Sequence, residues 1–441
     1  MILPEEVQKA LEILEAAGYE ACLVGGCVRD FLLGKMPHDF DITTNALPEE
    51  TEKAFAGFRV FETGIKHGTV TVLINNTPLE VTTYRTDGNY SDGRHPDKVH
   101  FTRSLEKDLA RRDFTVNAIA YSRKKGMIDI FGGQQDIEKK QIRAVGEAME
   151  RFQEDALRIM RAVRFSSELG FAIEPKTSAA ALSLRERLSM VSAERIYAEL
   201  IKLLCGENVR SVLMEYPEIL GVWLPEILPM VGFDQHNFHH IYTVWEHTAA
   251  VVEAIPPVPY LRLAALLHDC GKPGTFFMGD DGVGHFYGHH KLSTAMAEKI
   301  LDRLKADKDT VNRVTVLVRR HDTPLENDLK LIKKMLNRLG PEMFFDLIKL
   351  QRADNIGQAP AYRERQRLLD KIEASAKELL AEEACFSLKN LAVSGKDLIG
   401  LGMEPGPGMG KILNHLLEAV MDGQVPNEKA QLLQKAREYY T

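Results

Sequence analysis

The chain has 441 residues and a net charge of −7, with 44% hydrophobic and 27% charged residues. This balance is ordinary for a globular protein and, at about 100–200 residues per domain, predicts two to four domains. No apolar run approaches the roughly 20 residues that cross a bilayer, and the acidic N-terminus lacks the basic start of a signal peptide. The 5 cysteines include no C-x-x-C pair, which excludes a disulfide framework. We therefore expect a cytoplasmic protein without membrane contact.

Residues 1–140 predict a mixed α/β region. Apolar spacing and turn residues predict, in chain order, helix Glu5–Ala17, strand Ala21–Val24, helix Val28–Leu33 and strands Phe40–Thr43, Thr69–Ile74 and Leu79–Tyr84. The turn sequence Asn75-Asn76-Thr77-Pro78 predicts that the last two strands form a hairpin. From about Gln141 the apolar residues recur at helical spacing almost to the end, which predicts an all-helical remainder.

Residues 23–42, LVGGCVRDFLLGKMPHDFDI, begin with a Gly-Gly turn. Gly25 and Gly26 come after a strand and open a helix, so backbone amides there can approach a triphosphate closely. Arg29, one helical turn further on, can pair with a phosphate oxygen. A Gly-Gly pair alone is more often an ordinary turn, so the specificity of this motif depends on the acidic residues downstream of it.

Two aspartates lie within the same 20 residues. Asp39 and Asp41, at positions i and i+2 of a predicted strand, point the same way and offer hard oxygen ligands to Mg²⁺. Two metal ions held there would activate a hydroxyl and stabilise a leaving pyrophosphate. Glu80, on the next predicted hairpin, is a candidate third carboxylate, and a role as a surface strand residue explains it equally well.

Two further motifs lie downstream. In residues 108–121, DLARRDFTVNAIAY, Arg111 and Arg112 can reach phosphates. Asp113 and Asn117, four residues apart, would share one helix face and could bind a ribose hydroxyl. A capped, charged helix start would account for the same residues.

The third motif is EDALRIMRAVRF, residues 154–165, in which Asp155, Arg158, Arg161 and Arg164 recur every three residues along a predicted helix. A carboxylate and a guanidinium together can read the amine donor and ring-nitrogen acceptor that cytosine and adenine share. Uracil and guanine present a carbonyl instead, so this pair would reject them without a nucleic-acid template. An ordinary salt bridge at this spacing is the competing interpretation.

Together these motifs closely resemble those of the class II tRNA nucleotidyltransferases, the bacterial and eukaryotic CCA-adding group, over roughly residues 20–240. The segments VGGCVRD, DFDI, RRDFTVNA and EDALRIMRAVRF carry the resemblance, in the family's order. It implies an α+β fold, with a polymerase-β-like head followed by a helical neck, body and tail. It also implies tRNA as partner, CTP and ATP as substrates, and Mg²⁺ in the head.

The resemblance also implies roles for individual residues. The triphosphate would contact Gly26, Arg29 and Arg112, the metal ions Asp39 and Asp41, and the base Asp155 and Arg158, with Arg161 and Arg164 supporting the nucleotide. Residues 85–101 look like the family's flexible loop, which is typically shortened in enzymes that add only CC. Its presence favours a CCA-adding or an A-adding enzyme.

A second set of candidate metal ligands lies downstream. His247, His268, Asp269 and Asp354, with His289 and His321 as candidate further ligands, combine nitrogen and oxygen donors from separate helices. Such a mixture suits Mn, Fe, Ni, Co or Mg better than a cysteine-type zinc site. The pattern resembles the HD superfamily of metal-dependent phosphohydrolases. Some CCA-adding enzymes carry such a domain, which is associated with phosphatase and 2′,3′-cyclic phosphodiesterase activities. The glycine-rich insertion Thr275–Gly288 departs from the most compact HD pattern.

The predicted organisation is a nucleotidyltransferase head at 1–140, a neck and body at 141–235, an HD-type domain at 236–356 and a tRNA-binding tail at 357–441. One alternative is a poly(A) polymerase, although the tail from Asn427 lacks the strongly basic character typical of that group. Others are an HD phosphohydrolase with a degenerate head and a non-catalytic RNA-binding protein. The sequence leaves open whether CC, A or CCA is added, which metal the HD site takes, and the oligomeric state.

Overall fold

A computed structural model describes residues 3–37, 39–87, 99–237, 241–280, 282–358, 363–382 and 385–440. The chain divides into two units: residues 1–228 with 303–305, and residues 229–302 with 306–441. The predicted division into four segments is finer than this, and it stays a prediction.

The first unit is built on a mixed sheet. Its strands are β1 Ala21–Val24, β2 Asp41–Thr44, β3 Arg59–Gly64, β4 Thr69–Ile74, β5 Thr77–Thr83, β6 Arg85–Asp87, β7 Val99–Phe101, β8 Ile119–Ser122, β9 Gly126–Asp129, β10 Gln141–Ile142 and β11 Ala172–Ile173. Seven of them form one sheet in the order β3-β4-β5-β2-β1-β8-β9. In that sheet β2 and β5 run parallel, while the other neighbouring pairs are antiparallel.

The predicted hairpin of β4 and β5 is confirmed. Asn75 and Asn76 take φ of 48° and 65°, the left-handed region that two-residue hairpin turns require and that asparagine tolerates. Strands β3, β8 and β9 were not predicted. In the loop at 85–101, β6 and β7 pair with each other, and residues 88–98 lie outside the described part of the chain.

Helices flank the sheet and then continue alone. Those of the first unit are α1 Glu5–Ala16, α2 Gly26–Leu32, α3 Pro48–Ala54, α4 Leu105–Ala110, α5 Gly133–Glu138, α6 Ala148–Glu154, α7 Leu157–Leu169, α8 Pro175–Leu184, α9 Ala193–Leu204, α10 Val209–Glu215 and α11 Pro217–Gly221. Helix α7 packs against α9 with a buried apolar face that includes Ile159, Met160 and Val163. The amphipathic spacing that predicted helices here therefore also predicted the buried side.

The second unit is almost entirely helical. Its helices are α12 Val244–Ala254, α13 Pro259–Leu267, α14 Lys272–Thr275, α15 His289–Arg303, α16 Lys308–Arg320, α17 Leu329–Leu339, α18 Pro341–Ile356, α19 Glu364–Ala381, α20 Gly395–Gly400, α21 Pro407–Met421 and α22 Lys429–Tyr440. A small hairpin of β12 Phe277–Met278 and β13 Gly284–His285 interrupts them. The prediction of an all-helical remainder after residue 141 is therefore wrong in two short places, this hairpin and the β10–β11 pair.

The α+β prediction is confirmed: a sheet-based head precedes a helical body and tail. Among the described residues, no helix is both long enough and apolar enough to span a bilayer.

Candidate functional site

The carboxylates of the head meet at one cleft because β2 and β5 are parallel neighbours. In that pairing Asp41 lies directly opposite Glu80, and Asp39, Asp41 and Glu80 line the same cavity of about 790 Å³. One expectation needs correction: β2 begins at Asp41, so Asp39 precedes the strand instead of sharing it. Oxygen donors gathered in this way suit Mg²⁺, and they leave coordination positions for phosphate oxygens.

Burial and the neighbouring charges act on the pKa of Asp41 in opposite directions. Its side chain keeps contact with solvent, but the cleft walls remove part of its water shell, and this desolvation raises its pKa. The guanidinium of Arg112 opposes the rise, and the neighbouring Asp39 carboxylate adds to it. The repulsion between the Asp39 and Asp41 carboxylates favours binding of a cation beside them.

Gly25 is required at the turn between β1 and α2 for two reasons. Its φ is +79°, and a Cβ there would lie 3.1 Å from Nη1 of Arg112 and 3.9 Å from Oδ2 of Asp41. Glycine therefore lets Arg112 lie against the turn beside the carboxylate. Helix α2 starts at Gly26, two residues before the predicted start, so its first amides face this turn.

The two arginines of the second motif share one buried acid. Asp108 is fully buried and pairs with Arg111 over 2.9 Å and with Arg112 over 3.6 Å. Arg111 is thereby engaged by Asp108, whereas Arg112 also lies against Gly25 and acts electrostatically on Asp41.

A chain of hydrogen bonds joins the remaining predicted residues of the head. Arg29 donates from Nη1 to Oδ1 of Asn117 over 2.7 Å, and Asn117 donates from Nδ2 to Oδ1 of Asp113 over 3.3 Å. Arg161 donates from Nε to Oδ2 of Asp113 over 2.7 Å. Burial alone would raise the pKa of Asp113, but the charge and hydrogen bond of Arg161, the charge of Arg158 and the backbone N–H of Phe114 together lower it to about 2.

Asp113 and Asn117 were predicted to share one face of a helix, and they lie together for a different reason. Helix α4 ends at Ala110, and a 3₁₀ turn covers Thr115–Asn117, so the two residues do not share an α-helix. The turn brings them together, with the backbone N–H of Asn117 donating to the carbonyl of Phe114 over 2.9 Å.

The predicted continuous helix over residues 154–165 is interrupted at Asp155. Helix α6 ends at Glu154, α7 begins at Leu157, and Asp155 between them is extended, with φ −135° and ψ 105°. Its Oδ1 accepts a hydrogen bond from the backbone N–H of Leu157 over 3.0 Å, an Asx turn that leads into α7. Its Oδ2 pairs with Arg195 over 2.8 Å. Asp155 is therefore held by helix α9, not by its place on the arginine-bearing helix.

Arg158 and Arg164 are buried on α7 and have different partners. Arg158 donates to Oε2 of Glu154 over 2.6 Å and to the carbonyl of Arg111 over 3.0 Å. Arg164 pairs with Glu199 over 2.7 Å. The guanidinium of Arg164 also lies 3.8 Å from the centroid of the Phe165 ring. These contacts, with that of Arg161 to Asp113, fix the arginine row of α7, which is Arg158, Arg161 and Arg164.

In the second unit, all six predicted metal ligands converge. His247, His268 and Asp354 form one group of ligand atoms within 4.8 Å of one another, and Asp269, His289 and His321 form another. Asp269 links the groups: its Oδ2 is 3.2 Å from Nε2 of His268 and its Oδ1 is 3.3 Å from Nε2 of His289. Such an arrangement offers four nitrogens and two carboxylates from helices α12, α15 and α18 and the segments that come after α13 and α16.

Each histidine points one nitrogen outward to a backbone carbonyl. The Nδ1 atoms of His247, His268, His289 and His321 lie 3.0, 2.7, 2.9 and 2.7 Å from the carbonyl oxygens of Gly357, Ala265, Phe286 and Val318. A carbonyl can only accept, so each Nδ1 carries the proton and each Nε2 offers its lone pair to the centre. The Nε2 atoms of His289 and His321 are 3.1 Å apart. Two lone pairs this close repel unless a cation lies between them, so these residues fit a metal ion.

Positive charge opposes burial at both carboxylates of this cluster. Burial would raise the pKa of Asp269, but protonated His268 together with Lys272 holds it well below its ordinary value. Burial likewise opposes ionisation of Asp354, and protonated His247, 3.0 Å away, lowers the pKa of that carboxyl. A bound cation would supply the same positive charge when each Nε2 is unprotonated. The cluster opens into a cavity of about 360 Å³, bordered also by Tyr287, His290, Asp322 and Gln358.

Comparison with known proteins identifies the family. Three family models match: "Poly A polymerase head domain" over residues 21–143, "Probable RNA and SrmB- binding site of polymerase A" over residues 170–230, and tRNA nucleotidyltransferase domain 2 over residues 285–436. The CCA-adding enzyme of Lacticaseibacillus paracasei is 38% identical over 97% of this chain and 94% of its own. That of Levilactobacillus brevis is 37% identical over 98% of both chains.

The chain belongs to the CCA-adding enzymes.

Solved CCA-adding enzymes share its fold. The Bacillus stearothermophilus enzyme in complex with CTP has a TM-score of 0.76 and 31% identity, covering 99% of both chains. The Thermotoga maritima enzyme complexed with tRNA has a TM-score of 0.61 at 19% identity, which supports the fold alone. Membership of the CCA-adding enzymes makes this chain a nucleotidyltransferase and implies a divalent metal ion, which the donor set of the head cleft fits.

Several residues of this CCA-adding enzyme's site were missed by the sequence reasoning. Arg195, Glu199 and Asp108 hold the predicted residues in place. Glu199 had a detectable signal, because it is a charge on the buried face of α9, beside Ile196 and Leu200. A buried charge at such a position requires a partner, and the arginine row of α7 supplies it.

Proposed function

We propose that this chain adds C and A nucleotides, taken from CTP and ATP, to the 3′ end of tRNA without a nucleic-acid template. The observation that carries the proposal is the opposition of Asp41 and Glu80 across two parallel strands, with Asp39 and Arg112 beside them. The reaction of the related CCA-adding enzymes supports the proposal, as does the solved relative in complex with CTP.

The carboxylates of the cleft and the neighbouring Arg112 have different roles in this reaction. Asp39 and Asp41 would hold Mg²⁺, with Glu80 as a third carboxylate, and the ion would supply activation of the attacking hydroxyl and stabilisation of the leaving pyrophosphate. Arg112 approaches the triphosphate past Gly25, where the absence of a Cβ keeps the path open.

Other residues position the nucleotide. Arg29, Gly26 and Arg111 line the phosphate side, while Asp113 and Asn117 hydrogen-bond the ribose. Asp113 is ionised and its geometry is fixed by Arg161, so it acts as a fixed acceptor.

Base selection is assigned to Asp155 and Arg158. Asp155 accepts from the exocyclic amine of cytosine or adenine, and Arg158 donates to the ring nitrogen. Arg195 and the backbone of Leu157 fix the Asp155 carboxylate from two sides. Arg161 and Arg164, held by Asp113 and Glu199, support this pair and keep it from rotating away.

One experiment tests this function directly. tRNAs ending at the discriminator base, at C and at CC are incubated with CTP and ATP, separately and together, and the products are sized on sequencing gels. A CCA-adding chain extends the first two substrates to CCA only with both nucleotides, and the third with ATP alone. Extension by A only, or by a long A tail, would contradict the proposal.

The histidine cluster supports a second function, metal-dependent hydrolysis of phosphoesters. The supporting observation is the convergence of four Nε2 atoms with the carboxylates of Asp269 and Asp354. Mn²⁺, Fe²⁺, Ni²⁺, Co²⁺ or Mg²⁺ held there would polarise a phosphoester and a water molecule. The natural substrates are RNA ends blocked by a 2′,3′-cyclic phosphate or a 3′-phosphate, because such ends deny the transferase its acceptor hydroxyl.

The proposed function implies a division of the chain into domains and a place in the cytoplasm. Residues 1–140 would form the catalytic head, 141–235 the nucleotide- and RNA-binding neck and body, 236–356 the HD-type domain and 357–441 a tRNA-binding tail. Among the described residues no cysteine forms a disulfide bond, which suits the reducing cytoplasm.

A test of the second function uses the parent chain loaded with each metal in turn. Bis(4-nitrophenyl) phosphate and tRNA ending in a 2′,3′-cyclic phosphate serve as substrates. Hydrolysis with at least one metal, lost on chelation and restored on re-addition, is expected. Failure with every metal would leave the cluster with a structural role.

A further inference from the structure

The hairpin of β12 and β13 carries a row of aromatic rings on its outer side. Phe277 and His285 are paired across the hairpin, and Tyr287 lies two residues after His285, so the three side chains project from one face. The rings of Phe277 and His285 stack at 5.2 Å, and those of His285 and Tyr287 at 5.3 Å with an interplanar angle of 11°. Tyr287 is 75% exposed and Phe277 is 45% exposed.

The inner side of the same hairpin is anchored to the protein. The ring of Phe276 packs edge-on against Phe233 at 5.4 Å, and it lies 5.5 Å from that of Phe286. At Gly284 the chain passes so close that a Cβ would lie 2.2 Å from the carbonyl oxygen of Gln235. The outer rings are therefore held on an anchored hairpin, and less conformational entropy is lost when a ligand binds to them.

The row leads to the histidine cluster. Tyr287, at its exposed end, borders the 360 Å³ cavity together with His289, a ligand of the cluster two residues further on. Lys272 borders the same cavity, 2.7 Å from Oδ2 of Asp269 and 5.3 Å from the centroid of the Phe286 ring. A ligand stacked on Tyr287 would thus extend directly toward the metal ligands.

We propose that the stack of Phe277, His285 and Tyr287 is a platform for the last bases of a single-stranded RNA 3′ end, and that it presents the terminal phosphate to the histidine cluster. Proteins that bind single-stranded RNA stack its bases on exposed aromatic rings, with little regard to sequence. Here such rings lie next to the cavity of the histidine cluster. The identity of the substrate rests on the proposed phosphohydrolase function, but binding to the platform does not require turnover. The hairpin of β12 and β13 within the glycine-rich insertion would then be a substrate-binding element.

Binding is measured with a six-nucleotide RNA that has 2-aminopurine as its terminal base and a 3′-phosphorothioate that slows hydrolysis. Fluorescence quenching of 2-aminopurine reports stacking on the metal-loaded protein. We expect Tyr287→Ala to weaken the quenched complex about 5- to 150-fold, the effect of losing one stacked base, and Tyr287→Phe to bind like the parent. Met278→Ala is the matched control, because Met278 lies on the same hairpin, is exposed and projects from the opposite face.

The outcomes separate this inference from the phosphohydrolase proposal. Equal quenching by the parent and Tyr287→Ala overturns the inference, even if bis(4-nitrophenyl) phosphate is hydrolysed. Quenching that Tyr287→Ala removes, in a parent that hydrolyses nothing, supports the platform and contradicts the phosphohydrolase. Concentration-dependent self-association that Tyr287→Ala abolishes, without any quenching, would assign the surface to a second copy and also overturn the inference. Circular dichroism and metal content confirm that each variant is folded and loaded.

Discussion

Arg161 donates its Nε to Oδ2 of Asp113 over 2.7 Å, and this contact ties helix α7 to the turn that precedes β8. Asp113 also accepts from the backbone N–H of Phe114 and from Asn117. One buried carboxylate thus connects the helix that bears the arginine row to the residues assigned to the ribose.

The charge of Asp113 should stabilise the protein in a pH-dependent way. Its pKa in the folded state is about 2, below the ordinary value of 3.8, so the stabilisation is complete above about pH 4 and is lost as pH falls toward 2. We expect Asp113→Asn to lower the free energy of unfolding by about 2 kcal/mol at pH 7 and by about half as much at pH 3. Urea unfolding at both pH values measures this.

Glu186→Gln is the control for that series. Glu186 is 78% exposed and pairs with Arg185 over 3.5 Å, an arrangement worth little to stability. An equal loss for Asp113→Asn at pH 7 and pH 3 would show that shape, and not charge, is what the carboxylate contributes.

The carboxylates of the head should be needed for nucleotide addition. We expect Asp39→Ala and Asp41→Ala each to lower kcat at least about a thousandfold with the fold intact, because each removes a metal ligand from the reacting centre. Glu80→Gln tests the third carboxylate in the same assay. Glu49→Gln, an exposed residue on α3, should behave like the parent. Near-normal transfer by both aspartate variants would remove the two-metal assignment, and near-normal transfer by Glu80→Gln would make Glu80 a surface strand residue.

Base choice should depend on Asp155, Arg158 and also Arg195. Loss of a paired base contact costs about 1–3 kcal/mol of discrimination, so Asp155→Ala and Arg158→Ala should raise incorporation of U and G relative to C and A by about 5- to 150-fold. Arg195→Ala should also raise incorporation of U and G relative to C and A, because the Asp155 carboxylate loses its ion pair. Competition assays with all four nucleotides measure the ratio, with Lys176→Ala on the exposed side of α8 as control. Strict rejection of UTP and GTP by all three variants would place the selecting residues elsewhere.

The histidine cluster should act independently of nucleotide addition. His268→Ala or Asp269→Ala should lose bound metal and phosphohydrolase activity, because affinity depends on the number and geometry of the ligands. Metal content by mass spectrometry and CCA addition are measured on the same preparations, with His415→Ala as the histidine control. If the cluster variants lose CCA addition while the fold is unchanged, the two sites are not independent.

Local sequence was sufficient wherever neighbouring residues decide the conformation. The sequence predicted strand β1 and the β4–β5 hairpin, with its Asn75-Asn76 turn, at or near their observed limits. Apolar alternation and the ability of asparagine to adopt positive φ both depend on only a few neighbouring residues. The types of the metal ligands were also readable, because hard oxygens and imidazoles have distinct metal preferences.

Tertiary structure decided the features that depend on residues far apart in the chain. The opposition of Asp41 and Glu80 arises from a parallel pairing between strands that are not consecutive, which no local pattern specifies. The break at Asp155 overrides a sequence that reads as one helix, because its carboxylate is held by Arg195 on α9 and by the first amides of α7. The convergence of the Nε2 atoms is of the same kind: spacing identifies the histidines, but only packed helices and their carbonyls set the direction in which each ring points.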